Sequence, residues 1–275
     1  MKRPKPAHLP LAASLAAALV ACAAPGVMAQ PRPAAGNPAP AAAIPKGPGS
    51  LNGIWHIDVY KSSARFLERD RVMKTATGAL PPLQPWAAEV LEKRIKQSEG
   101  GDPWPNTLAR CLPQGTPGML LAGSAYPVQI IESPAQVTML FEELTNYRVI
   151  PLNRTHPADV DPSYMGNSVG RWEGDTLVID TIGLNDETTL DQVGMPHSDQ
   201  MHVVERLRRV DKDTMEIRFT IDDPKAFTST WETKATYKAS PPQTLPGEYI
   251  CENQRNARDD SGKMSFDLPG ARPGR

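Results

Sequence analysis

From about residue 119 onward the chain alternates apolar and polar positions with a period of two, in short segments closed by turn residues. That is the pattern of half-buried β-strands. Residues 119–122, 128–132, 137–144, 147–152, 169–173, 176–184, 202–210, 214–222, 231–238 and 248–251 read as strands, and 51–55 opens the series. Ser133-Pro134, Thr145-Asn146, Gly174-Asp175 and Asp211-Lys212-Asp213 supply the turns. Residues 85–97 instead have helical spacing, with Pro85 in the first turn and Gly100-Gly101 as the stop. Trp86, Val90, Leu91 and Ile95 would form the apolar face of that helix. Strands do not alternate with crossover helices, so a parallel α/β sheet does not fit. The expected fold is mainly β, an antiparallel meander of about ten strands closed into a barrel, with one or two N-terminal helices.

Pairing 202–210 with 214–222 sets Leu207 opposite Ile217, Glu205 opposite Phe219 and Val203 opposite Ile221. With Met215 these make one apolar face, while Arg208 and Glu216 meet on the other as a surface pair. Glu205 is the odd member of the apolar row, and a carboxylate is costly there unless paired or hydrogen-bonded. Two readings stand side by side: a general acid or base, or a structural ion pair with an arginine of a neighbouring strand such as Arg171.

The loop before this strand carries Asn185, Asp186, Asp191 and His197, and His202 opens the strand itself. Histidine titrates nearest neutrality and suits proton transfer. By alternation His202 faces away from Glu205 unless a bulge intervenes. Gathered at a barrel mouth, these groups would surround a small ligand. Glu205 would act as base, His197 or His202 as proton donor and Arg171 as the cation for developing negative charge, with Asp186 and Asp191 beside them. Trp172, Tyr164, Asn185 and Phe219 are the candidate ligand contacts. Trp172 and Tyr164, with Trp231 and Tyr237, are the aromatics available to line an apolar cavity; a place in the core is the plainer reading.

A metal is the other sharp reading. His156, Asp159 and Asp161, with His197 and His202, supply nitrogen and oxygen ligands, although no HxH or HExxH spacing is present. Ser124 and Ser198 lie outside any GxSxG setting, and there is no P-loop or GxGxxG. The expected chemistry therefore uses no cofactor.

Thirty basic and thirty-one acidic side chains leave a formal charge of −1, which excludes the concentrated basic surface of a nucleic-acid binder. Lys2, Arg3 and Lys5 precede an apolar stretch at 11–20, shorter than the ~20 residues of a spanning helix. Residues 1–29 read as a secretory signal, with Val27-Met28-Ala29 as the cleavage site. Leu19-Val20-Ala21-Cys22 also reads as a lipobox, which would put a lipid on Cys22 and tether the protein to the outer membrane. Either way the expected address is the periplasm. A Pro/Ala-rich linker (30–50), a single barrel domain (51–252) and a polar tail expected to be disordered (253–275) complete the chain. In an oxidising compartment Cys111 and Cys251 would form a disulfide; two separate buried thiols are the alternative.

Residues 165–181 (MGNSVGRWEGDTLVIDT), Pro196-His197-Ser198, His202-Val203-Val204-Glu205-Arg206 and Ile221-Asp222-Asp223-Pro224 form a specific motif string. With Cys111-Leu112-Pro113 and Tyr249-Ile250-Cys251-Glu252, it resembles a large, poorly characterised family of exported bacterial proteins over residues 51–252. The resemblance implies a lipocalin-like or calycin-like barrel. Asn167 departs from it, since many members have a histidine there, and any activity resting on that histidine would be altered. The expectation carried forward is an exported barrel that binds a small apolar or aromatic molecule and acts on it by acid–base chemistry of lyase or isomerase type. A non-catalytic ligand-binding or assembly lipoprotein and a metal-dependent hydrolase are the alternatives.

Overall fold

The structure is a computed structural model that describes residues 49–59, 61–62, 72–100, 107, 110–121, 126–241, 247–251, 257–258 and 264–265. Residues 1–29, read above as a signal sequence, nearly all of residues 30–50, Cys22, Ser124 and most of residues 253–275 lie outside the described residues. In the tail, Ala257–Arg258 pairs with Met264–Ser265.

Among the described residues nine strands form one sheet. They are β1 (Gly53–Ile57), β2 (Val128–Glu132), β3 (Gln136–Phe141), β4 (Asn146–Pro151), β5 (Asn167–Glu173), β6 (Thr176–Ile182), β7 (His202–Asp211), β8 (Thr214–Asp222) and β9 (Trp231–Ala239). Each strand pairs antiparallel with the next in sequence except at β4/β5, and β1 also pairs with β9. The meander thus curls into a nearly closed barrel.

The single seam follows from parity. With nine strands, an all-antiparallel ring would leave its first and last members pointing the same way, so β4 and β5 meet in parallel. They touch at one parallel bridge, Leu152 to Gly170, where Asn153 N donates to Gly170 O at 2.8 Å. Gly170 is required there because a Cβ would lie 2.8 Å from Ile150 Cγ2 and 3.0 Å from Leu152 Cδ2. A parallel pair also needs a long connection, and residues 152–166 supply it, running back along β5 and β6.

Period-two alternation fills the interior. Leu177 and Ile179 of β6, Val203 and Leu207 of β7, and Ile217, Phe219 and Ile221 of β8 are all fully buried. Each such side chain contributes ~1.5–3 kcal/mol by leaving water. Beside Arg148 and Glu205 the remaining void is about 130 Å³, and no water-sized sphere fits in it. Around this pair the described side chains leave no room for a ligand.

Three expected elements differ. Residues 119–121 are not a strand, and residue 122 lies outside the described residues: Gly118–Leu121 forms a short helix, α2, whose residues are all buried. A short, wholly apolar run carries no periodicity to separate strand from helix, and the Tyr237 hydroxyl draws α2 against the barrel through Leu120 O at 2.9 Å. The helix α1 (Pro85–Glu99) exists, but Ala87 and Leu91 form its buried side. Trp86 is half-exposed and donates its indole N–H to Lys225 O at 2.7 Å. Residues 248–251 join no sheet: Tyr249 N donates to Thr145 Oγ1 at 3.2 Å, and Cys251 is bonded to Cys111 across a Cα separation of 5.6 Å.

Candidate functional site

Glu205 faces the barrel interior, as the alternation requires, and is wholly buried. Its carboxylate is held by Arg148 of β4 in a fork, with Nη1 to Oε1 at 3.0 Å and Nη2 to Oε2 at 2.5 Å. Arg148 also donates from Nε to Ser168 Oγ at 3.0 Å and from Nη2 to Thr181 Oγ1 at 2.6 Å. The network runs β4–β5–β6–β7 straight across the seam, where the backbone ladder is weakest. Planar guanidinium donors match a carboxylate bidentately, and a buried charge without such a partner is strongly destabilising. Glu205 is therefore an ion-pair partner, as one sequence reading held, but its arginine is Arg148. Arg171 is exposed and pairs with Glu173 at 2.6 Å. Burial, with Glu205 and Glu143 nearby, pushes the neighbouring Tyr237 phenol up.

The loop from 183 to 200 spends its polar groups on its own shape. Asp191 is buried and accepts backbone N–H groups from Met73 (2.9 Å), Gly194 (2.8 Å) and Met195 (2.8 Å). Burial pushes its carboxyl up, against the pull of those amides. Ser198 donates to Asp223 from both N and Oγ at 2.6 Å. His197 is buried between Ser198 O, 3.0 Å from Nδ1, and Thr188 Oγ1, 2.6 Å from Nε2. Facing a carbonyl, Nδ1 carries the proton, and Nε2 accepts from the threonine. Burial lowers the basicity of this ring, so it is held neutral.

The accessible chemistry is on the outer face of the same strands. Asp180 of β6 accepts at one oxygen, Oδ1, from His156 Nε2 at 2.9 Å and from His202 Nε2 at 3.0 Å. His156 Nδ1 lies 2.7 Å from Asn167 Oδ1. A protonated His156 donates to both oxygens; a neutral one is served if the Asn167 amide turns its N–H₂ toward the ring. The side chains of His156, Asp180 and His202 are 19%, 31% and 39% exposed. Burial pushes the Asp180 carboxyl up, but the hydrogen bonds and charge of His156 and His202 outweigh it and hold it below the usual carboxylate range. Val169 and Val204 flank Asp180 on its two neighbouring strands. The long β4–β5 connection demanded by strand parity carries His156 to this place.

The other candidates do not converge. Asp159, Asp161 and Asp186 are exposed. Tyr164 donates to Glu187 Oε2 at 2.6 Å, and Asn185 Oδ1 accepts from Glu187 N at 3.3 Å. Phe219 is core, and Trp172 packs against the core from a half-buried position. The expected metal set is split, because His156 and His202 meet while His197 is sealed in its loop. Among the described residues no group of three or more His, Cys, Asp or Glu is arranged to hold a metal ion. Arg208 does lie opposite Glu216 in register, but its Nε donates to Asp175 Oδ2 at 2.9 Å.

Two positions that build these clusters escaped sequence reasoning. Arg148 shares the inward row of β4 with Ile150, so the argument that singled out Glu205 applies to it equally. Asp180 alternates with the inward Thr181 and pairs with Val204, two residues from His202 on the same face. Fold and site together define a nearly closed nine-stranded barrel with one sealed and one open charged cluster. No protein-family model matches the chain, and no curated protein matches it.

Proposed function

We propose that this is an exported small-molecule-binding barrel, lipocalin- or calycin-like in architecture, that performs cofactor-free acid–base chemistry of lyase or isomerase type on its outer face. The observation that carries the reading is the pair of imidazoles turned on one carboxylate oxygen, with His202 open to solvent. Asp180 orients His202 through the hydrogen bond at Nε2, so that His202 can take a proton from a carbon acid and return it elsewhere. His156, turned to the same oxygen, holds Asp180 in place between Asn167 and His202. The flanking valines suit a small apolar or aromatic substrate. The role first expected of Glu205 thus passes to His202, because Glu205 is sealed behind Arg148.

Proton exchange tests the proposal without a known turnover. Small aromatic and aliphatic carbon acids incubated with the protein in D₂O would gain deuterium at the acidic carbon, read by NMR. Exchange should be lost in His202→Gln and in Asp180→Asn with the fold unchanged. Exchange that persists in His202→Gln would sink the assignment. The second reading is a non-catalytic binding or assembly lipoprotein held through Cys22, to which a complete lack of exchange across the panel would point.

A further inference from the structure

A groove of about 560 Å³ lies on the outer face of β8 and β9, at the opposite end of β8 from the His156–Asp180–His202 cluster. Its floor is the cross-strand pairs Thr214–Lys238 and Glu216–Thr236, with Lys234 beyond them. Its walls are the segment after β1, with Lys61 and Ser62, and the turn at residues 74–78. Both walls are pinned through the backbone. Asp58 N donates to Thr236 O at 2.6 Å and Ala76 N to Glu232 O at 2.7 Å, while Thr233 Oγ1 donates to Lys74 O at 2.9 Å. The cleft is therefore preformed, and its size falls within the ~300–1,000 Å³ of small-molecule sites.

Its charge differs from that of the neighbouring surface. On β5–β7 the outward arginines are neutralised within the sheet, Arg171 and Arg206 by Glu173 and Arg208 by Asp175. Around the groove, Lys61 and Lys234 make no ion pair among the described residues, while the charge of Lys238 acts on Asp211. Lys238 donates to a hydroxyl, Thr214 Oγ1, at 2.5 Å. Lys74 also faces the groove, as do the carboxylates of Asp211 and Glu216. Ammonium groups not matched by carboxylates favour an anion, and carboxylates in the same cleft favour hydroxyl donors on that anion.

We propose that this groove binds a small anionic carbohydrate, a sugar acid or sugar phosphate. Its acid group lies against Lys61 and Lys234, and its hydroxyls donate to Glu216 and Asp211. This site is independent of the acid–base cluster. Titration calorimetry on the mature protein tests it with glucuronate, glucose 6-phosphate, glucose and inorganic phosphate. Both sugar anions should bind saturably, glucose should not, and a Lys61→Ala/Lys234→Ala variant should bind about ten-fold or more weakly. Unchanged circular dichroism of that variant would show that only surface charge was removed. Failure of both sugar anions to bind, or equal binding by the variant, overturns the proposal. So does phosphate binding as tightly as glucose 6-phosphate while glucuronate is silent.

Discussion

Strands β5, β6 and β7 carry a charged cluster on each face, and the two behave oppositely. Inside, Ser168, Thr181 and Glu205 receive Arg148 and are sealed from water. Outside, Asn167, Asp180 and His202 receive His156 and remain partly wet. Asn167 precedes Ser168 and Asp180 precedes Thr181, so adjacent residues serve opposite purposes purely through the pleat. In the dry interior a carboxylate must be matched by fixed donors, and once matched it has no room for a substrate. At the water boundary a carboxylate can share its oxygen between two rings and still exchange protons. Position across the sheet, more than residue type, separates scaffold from candidate chemistry.

The largest test of that contrast removes Arg148. Arg148→Ala leaves Glu205 buried without its partner and should cost about 3–5 kcal/mol in urea unfolding. Arg148→Met combined with Glu205→Leu should recover most of that loss, since an apolar pair of similar volume replaces a buried ion pair at little net cost. A double variant as unstable as the single would show that the seam needs the charges themselves.

His197 extends the contrast to the loop. His197→Ala strands the Thr188 hydroxyl and the Ser198 carbonyl and should cost about 1–3 kcal/mol. The ring's basicity is lowered in the folded protein, so its contribution is fully present above the ordinary histidine pKa near 6.5 and is lost as pH falls from there through the lowered folded value. Unfolding midpoints should therefore decline between neutral and mildly acidic pH, and the decline should be shallower in the variant. An equal slope in both proteins would remove His197 from the account.

The smallest effect belongs to the outer cluster. Asp180→Asn should change stability by about 1 kcal/mol or less, as partly exposed pairs generally do. The Asp180 carboxyl titrates below its ordinary value, so its contribution exists above that value and is lost as the solution is acidified through the folded one. Midpoints of wild type and variant should thus converge at low pH. A loss as large as that of Arg148→Ala would make the outer cluster scaffold too, and erase the distinction between the faces.

Much of this was legible from alternation alone. The β7–β8 register, the inward placement of Glu205 and the outward turn of His202 follow from period two once the turn at 211–213 is recognised. The disulfide, open as an alternative in the sequence, is formed in the fold. Residues 119–121 and Trp86 were misread because local pattern cannot say which neighbour an apolar side chain will meet.

What the sequence determined by itself was which residues lie in and which lie out along each strand, because the pleat is a local property. The tertiary structure alone decided which of them meet. Nine strands force a parallel seam, the seam brings Arg148 over to Glu205, and the long connection that the seam requires delivers His156 to Asp180. Those pairings join residues far apart in the chain. Their partners are chosen by barrel closure, a global constraint that no local pattern encodes.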